Sequence, residues 1–367
     1  MSIEQLYNDS IDLLKQLIVI PSFSKEENKT ADIIEAFLNS KNVETCRFLN
    51  NVCARNKYFD ESKPTLLLNS HHDTVKPNKG YTLEPFSPIE KDGKLFGLGS
   101  NDAGGCLVSL IAAFLHFYEH ENLKYNFVLA ATAEEEISGS NGIEALLKSE
   151  HFLKSVSEFT EHPFRGWGCI VGEPTQMNMA VAEKGLLVLD CTVHGKAGHA
   201  AREEGDNAIY KAIKDIEWFR THKFDKVSDL LGPMKMSVTI INAGSQHNVV
   251  PAECKFTVDV RVNELYTFEE VLEIINQNVQ SDVQPRSVRL RSSSIALDHP
   301  IVKAGVKLGR KYFGSPTTSD KALMPFPALK IGPGDSARSH TADEFIYVDE
   351  IKEGIELYIS LLNEVVK

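Results

Sequence analysis

The sequence predicts an α/β fold, a mostly parallel-sheet catalytic domain carrying an inserted α+β lid or dimerisation domain. Three observations predict it. Apolar runs at Thr65–Asn69, Asn126–Thr132 and Gly168–Gly172 do not alternate and are separated by helical patterns, the signature of a parallel sheet covered on both faces. After Ala182 the strands turn alternating or β-branched, and from Asp298 the helix and short-strand pattern returns. The 367 residues also exceed what one hydrophobic core usually organises. We therefore expect residues 1–180 and 289–367 to form one catalytic domain, with residues 181–288 inserted.

Taken in order, Ile3–Leu17 and Lys25–Leu38 carry helical periodicity, with Ser22 or Ser24 as the expected cap between them. Strand Thr65–Asn69 follows, then a long apolar helix over Gly104–Tyr118 and strand Asn126–Thr132. Strand Gly168–Gly172 ends in the turn Glu173-Pro174-Thr175. In the insertion, strands are expected at Leu186–Val193, Met236–Ile241 and Cys254–Val262, with helices at Asn207–Arg220 and Phe268–Val279. The chain then returns through helix Pro300–Tyr312, strand Ala328–Ile331 and helix Val348–Val366.

Composition narrows the function. With 42% hydrophobic, 25% charged and 8% aromatic residues, the chain reads as globular. Its formal charge of -12, with no dense Lys/Arg run, argues against a nucleic-acid partner. The longest apolar stretch, Cys106 to Phe117, is too short to span a bilayer, so no membrane role is expected. The first helix carries Glu4, Asp9, Asp12 and Lys15 among its apolar positions, unlike a signal peptide. Six scattered cysteines without a CxxC pair suit a reducing cytoplasm. GxGxxG, GxxxxGK[ST], GxSxG and HExxH motifs are absent, which removes the usual support for nucleotide, nicotinamide and serine-hydrolase chemistry.

What remains is acidic and histidine side chains placed where strands end, the usual ligand position of open α/β sheets. They are Ser70-His71-His72-Asp73, Gly97 to Gly105 around Asp102, Thr132-Ala133-Glu134-Glu135-Glu136, and Gly172-Glu173-Pro174-Thr175. Gly332-Pro333-Gly334 followed by Ser339-His340-Thr341 completes the set. Three adjacent glutamates repel one another unless a cation sits among them. Zinc accepts such nitrogen and oxygen donors and lowers the pKa of bound water to about 7, and a spare carboxylate can then act as general base.

These motifs resemble the acetylornithine deacetylase, succinyl-diaminopimelate desuccinylase and glutamate carboxypeptidase family of co-catalytic zinc hydrolases, over nearly the whole chain and in the same order. The resemblance implies two Zn2+ per subunit, with Co2+ able to substitute. One would be held by His71, Asp102 and Glu173, the other by Asp102, Glu136 and His340. It implies that Asp73 orients His71, that Glu135 is the base, and that the Asp102–Ala103 peptide is cis. In the insertion, Val193 to Ala200 is similar to the family's Gly-x-x-x-His-Ser segment, with Ala200 and Glu203 where the family has serine and proline. By resemblance His199 reaches the partner subunit's site, making a homodimer through the inserted domain an active-site requirement. Asn248 and Arg261 match substrate-contacting positions.

The implied activity is removal of the acyl group from an N-acyl-L-amino acid, foremost N2-acetyl-L-ornithine to L-ornithine and acetate, a step of arginine biosynthesis. N-succinyl-ornithine or succinyl-diaminopimelate desuccinylation, or carboxypeptidase or dipeptidase action, are the alternatives on the same scaffold. Outside enzymes, a binding protein on a decayed hydrolase fold remains. Arg338 could pair with a distal substrate carboxylate, or simply with Asp335 or Asp343. His72 and His194 read as structural, Glu134 as supporting rather than ligating, and Asp320 as either a cap or a site support.

Overall fold

In a computed structural model, which describes residues 1–156, 164 and 166–366, the chain divides into two units. One comprises Met1–Val181, Ile295–Phe313 and Ser319–Lys367, the other Ala182–Ser294 and Gly314–Thr318.

The sheet of the first unit runs in the spatial order Thr45–Phe48, Asn51–Arg55, Asn126–Thr132, Thr65–His71, Gly168–Val171, Ala328–Lys330 and Met179–Glu183. Its four central strands, Asn126–Thr132 to Ala328–Lys330, are parallel, and antiparallel pairs flank them on both sides. Strand Thr65–His71 is buried along its whole length. Leu66 and Leu68 point into one apolar cluster and Leu67 into another, so the period of two sends successive side chains to two covered faces. Helix Gly105–Phe117, nearly all apolar, packs on the larger cluster between helices Ile3–Ile18 and Val348–Val366.

The second unit has a four-stranded antiparallel sheet, ordered Lys235–Ala243, Glu253–Val262, Gly185–His194 and Asp282–Pro285. Strand Gly185–His194 alternates buried and part-exposed positions, as a sheet with one covered face requires. Its inward residues Leu187, Leu189 and Cys191 form a core with Phe219 and Phe268 from helices Ala208–Thr221 and Phe268–Asn278. A reciprocal capping box between Thr267 and Glu270 fixes the start of the latter helix.

Two expectations are corrected, and one element of the fold was not anticipated. Neither Ser22 nor Ser24 caps the second helix, which starts at Asn28; Ser24 instead donates to Asp73 at 2.7 Å. The helix beginning at Pro300 stops at Lys307, because Gly309, at φ 75°, takes the left-handed turn that lets Gly309 and Arg310 donate back to Val306 and Gly305. The hairpin Thr45–Phe48/Asn51–Arg55 carries no strong sequence signal: its first strand is partly buried throughout and its turn places Leu49 at φ 55°.

Candidate active site

Parallel register brings the acidic loops together. His71 lies opposite Thr132, and Asn69 opposite Val171, so the carboxyl ends of three neighbouring strands are level. His71 ends one strand, Glu135 and Glu136 follow the next by three and four residues, and Glu173 follows the third by two. Gly172 is closely packed there: a Cβ would fall 2.7 Å from a Leu110 methyl, which would have to shift. The fourth contributor is the loop into the long apolar helix, where Gly99 at φ 75° reverses the chain and the Asp102–Ala103 peptide is cis.

His71 and Asp73 are both fully buried. The His71 Nδ1 lies 3.0 Å from the Asp73 carbonyl and 3.3 Å from its carboxylate, which fixes the ring and leaves Nε2 aimed forward. That Nε2 finds no hydrogen-bond partner. It faces Asp102, Glu173 and Glu135 at 3.5, 3.8 and 3.9 Å. The Asp73 carboxylate also accepts the backbone N–H of Glu135 at 3.0 Å and of Glu136 at 3.1 Å, so one buried acid aligns the histidine and both glutamates. On the far side, His340 Nε2 lies 3.0 Å from Glu136 and 3.7 Å from Asp102. Asp102 thus stands between the two histidines, its two oxygens facing one each.

The electrostatics describe buried acids crowded against two histidines. Burial and then Glu173 push Glu135 well above the usual carboxylate range, and burial with Asp102 raises Glu136. His340 is drawn up to about 9, chiefly by Glu136. Burial opposes charge on His71, yet Asp102, Asp73 and Glu135 raise its pKa strongly. Burial would also raise Asp102, but His71 more than offsets it. Among the described residues, the ion-pair partners of Asp102, Glu135 and Glu136 are the imidazoles of His71 and His340.

This donor set fits divalent metal. His71, Glu135 and Glu173 bring ligand atoms within 4.8 Å of one another, as do His71, Asp102 and Glu136. A buried imidazole nitrogen without a partner, surrounded by carboxylate oxygens, is a lone pair and negative charges converging on one space.

Several neighbours support the cluster without joining it. Glu134 turns away and accepts from Asn141 at 2.8 and 3.2 Å. His72 sits between Thr30 and the Asn50 carbonyl, both 2.9 Å away, with burial lowering its pKa to about 4. Asp320 is buried and accepts from Thr132 at 3.0 Å. Glu344, which sequence reasoning did not single out, takes the N–H groups of Gly99, Asn101 and Asp102 at 3.1, 2.9 and 2.9 Å and so shapes the loop carrying Asp102. Burial and the Asp102 charge raise it to about 8. Its signal in the sequence is only its place four residues after His340.

The structure does not bring Arg338 to the cluster. Its guanidinium forks onto Glu350 at 2.6 and 2.9 Å, rather than onto Asp335 or Asp343, and stacks over Phe345. His199, Asn248 and Arg261 belong to the second unit. There His199 lies in a short pairing with Val249 and accepts from the Ala201 N–H at 3.1 Å. Asn248 is exposed and its carbonyl accepts from Ala200, and Arg261 forks onto Asp259 at 2.8 and 3.0 Å.

A profile of peptidase family M20/M25/M40 matches residues 67–364. The chain belongs to that family. Among M20/M25/M40 relatives, it is 28% identical to a succinyl-diaminopimelate desuccinylase of Beijerinckia indica over 70% of this chain and 69% of that protein. It is 27% identical to an acetylornithine deacetylase of Proteus mirabilis over 96% and 95%. In fold it is similar to an M20 family metallo-carboxypeptidase of Sulfolobus solfataricus, with a TM-score of 0.76 at 16% identity over 97% of this chain and 98% of that one. A dinuclear metal-binding M20 peptidase of Bacillus subtilis aligns with a TM-score of 0.72 at 15% identity over 99% of each chain. The chain is accordingly a hydrolase of the M20/M25/M40 family, on a mixed sheet with a mostly parallel centre. Among the described residues no helix is long and apolar enough to cross a membrane.

Proposed function

We propose that this protein is a dinuclear metal amidohydrolase that removes the acyl group from an N-acyl-L-amino acid, with N2-acetyl-L-ornithine as substrate and L-ornithine and acetate as products. The observation that carries the reaction class is the partnerless, buried His71 Nε2 facing three carboxylates, with Asp102 shared between His71 and His340. His71, Asp102 and Glu173 would hold one Zn2+, and Asp102, Glu136 and His340 the other, with Co2+ able to replace either. Bound there, the cations would polarise the amide carbonyl and acidify the attacking water.

The chain's own residues do the rest. Asp73 fixes the His71 tautomer with Nδ1 bonded and Nε2 free to ligate. By holding the Glu135 N–H it also sets where that carboxylate stands. Glu135, pushed up by burial and Glu173, is suited to take a proton from water and pass it to the leaving nitrogen. We assign His199 of the partner subunit to the oxyanion, and Asn248 and Arg261 to the substrate carboxylate; Arg261 keeps its Nη1 for that purpose, since Asp259 engages Nε and Nη2. A homodimer through the second unit is supported by apolar side chains left exposed on strand Lys235–Ala243 (Ile240, Ile241) and on the helix packed against it (Tyr210, Ile213).

Acetyl rather than succinyl is favoured by Arg338, which is already engaged by Glu350 instead of being free for a distal carboxylate. Desuccinylation is the second reading, carried by the several desuccinylases among the relatives. Turnover of N-acetyl- and N-succinyl-amino acids with added zinc or cobalt decides between them. Faster cleavage of N-acetylornithine supports the proposal, and exclusive cleavage of succinylated substrates overturns its substrate assignment.

A further inference from the structure

Away from the metal-type cluster, the edge hairpin of the first unit holds an unusual thiol pair. Cys46 and Cys53 stand directly opposite one another in the antiparallel ladder between Thr45–Phe48 and Asn51–Arg55. Directly opposed residues of such a ladder have Cα atoms about 4.5 or 5.5 Å apart, and either spacing lies inside the roughly 4.4–6.8 Å that a disulfide spans. Both thiols are free, and Cys53 donates to the Cys46 carbonyl at 3.1 Å. Cys53 is buried while Cys46 is partly open, and both line a cavity of about 320 Å³ together with His151, Arg55 and Ser155.

The other four cysteines lack these features. Cys106, Cys169, Cys191 and Cys254 are buried, and burial pushes each thiol upward. Cys46 alone moves down, to about 7, chiefly because Cys53 hydrogen-bonds to it and with help from His151. A partly exposed thiol with a basic neighbour and a second thiol in bonding range is the arrangement that reacts selectively with oxidants.

We propose that Cys46 and Cys53 form a two-thiol modification site that reduces hydroperoxides and closes into an intramolecular disulfide across the hairpin. The Cys46 thiolate attacks the peroxide: an S–O bond forms, the O–O bond breaks, and the departing hydroxide leaves as water after taking a proton. The Cys53 sulfur then attacks the Cys46 sulfenic acid, forming S–S and breaking S–O, and its own proton leaves with the second water. Two thiols lose two electrons and one hydroperoxide gains them, so a disulfide and two waters result when hydrogen peroxide is the oxidant. Cys53, deep in the hairpin, serves as the resolving thiol and keeps Cys46 from advancing to the irreversible acids.

The test is mild hydrogen peroxide treatment of the full, metal-loaded protein, followed by alkylation, intact mass and peptide mapping. Wild type is expected to lose two hydrogens in mass, to yield a linked Cys46–Cys53 peptide, and to regain both thiols with dithiothreitol. Cys46→Ser, at the more open position, should leave Cys53 fully alkylatable after the same treatment. Cys53→Ser should instead trap a sulfenic acid on Cys46, read with a dimedone label. Wild type in which Cys46 gains two or three oxygens while Cys53 stays alkylatable would overturn the proposal. So would oxidation falling first on any of the other four cysteines.

Discussion

In the unit built around Ala182–Ser294, Asp190, Asp259 and Glu269 each face an arginine of the same unit, at 2.8, 2.8 and 2.6 Å. At the strand ends of the other unit, the ion-pair partners of Asp102, Glu135 and Glu136 among the described residues are histidines. The first pattern is self-neutralising: acid and base come from the same chain, at the surface, and little is left over. The second is not, and the imbalance is buried where charge is costly. Acids that bring their own cations leave little charge to be matched, whereas acids gathered without them mark where a cation is expected to bind.

The largest effect that would sharpen this contrast is expected from Asp102→Ala. One carboxylate faces both histidines, so its removal should release metal and abolish activity together; a variant retaining full metal content would break the bridging assignment. Glu135→Gln should keep the metal while losing about 10²–10⁴-fold in rate, because it removes the proposed base and little else. Equal metal loss in both variants would show that Glu135 ligates rather than transfers protons.

Next in size is a mixture of the Glu135→Ala and His199→Ala variants, each expected to be nearly inactive alone and, on the proposed assembly, to pair as dimers. If His199 serves the partner subunit, random exchange gives about half mixed dimers with one intact site each, restoring about a quarter of wild-type activity. Demonstrated exchange without recovery would place His199 in its own subunit's site or outside catalysis. The smallest effect belongs to the self-neutralised pattern. Arg286→Ala, which unpairs the exposed Asp190, should cost less than about 1 kcal/mol in denaturant titration and leave metal content unchanged. A large loss of metal there would erase the distinction between the two kinds of acid.

The sequence was most legible where a function depends on residues close in sequence. Strand Thr65–His71 and its trailing His-His-Asp could be read together, because a continuous apolar run followed by polar metal-competent residues has few other meanings. The same holds for Asn126–Thr132 with its glutamates and for the helix Val348–Val366. What could not be read depends on distant partners. Glu344 acts on a loop 242 residues earlier through backbone N–H groups, which leave no trace in residue type. Ser24 looked like a helix cap because serine is good at capping; its hydroxyl is claimed instead by Asp73, 49 residues on. The partner of Arg338 was misjudged for a related reason. Asp335 and Asp343 are nearer in sequence, but the former caps the short turn at Ala337 and the latter holds Thr82 and Leu83, so Glu350 at the start of the last helix is the acid left to it.

If divalent metal fills the space in front of His71 Nε2, metal analysis of the purified chain will detect it. We expect about two equivalents of divalent metal per chain, their removal by a strong chelator with complete loss of amidohydrolase activity, and recovery on adding zinc or cobalt. Full activity in protein shown to contain no metal would contradict it.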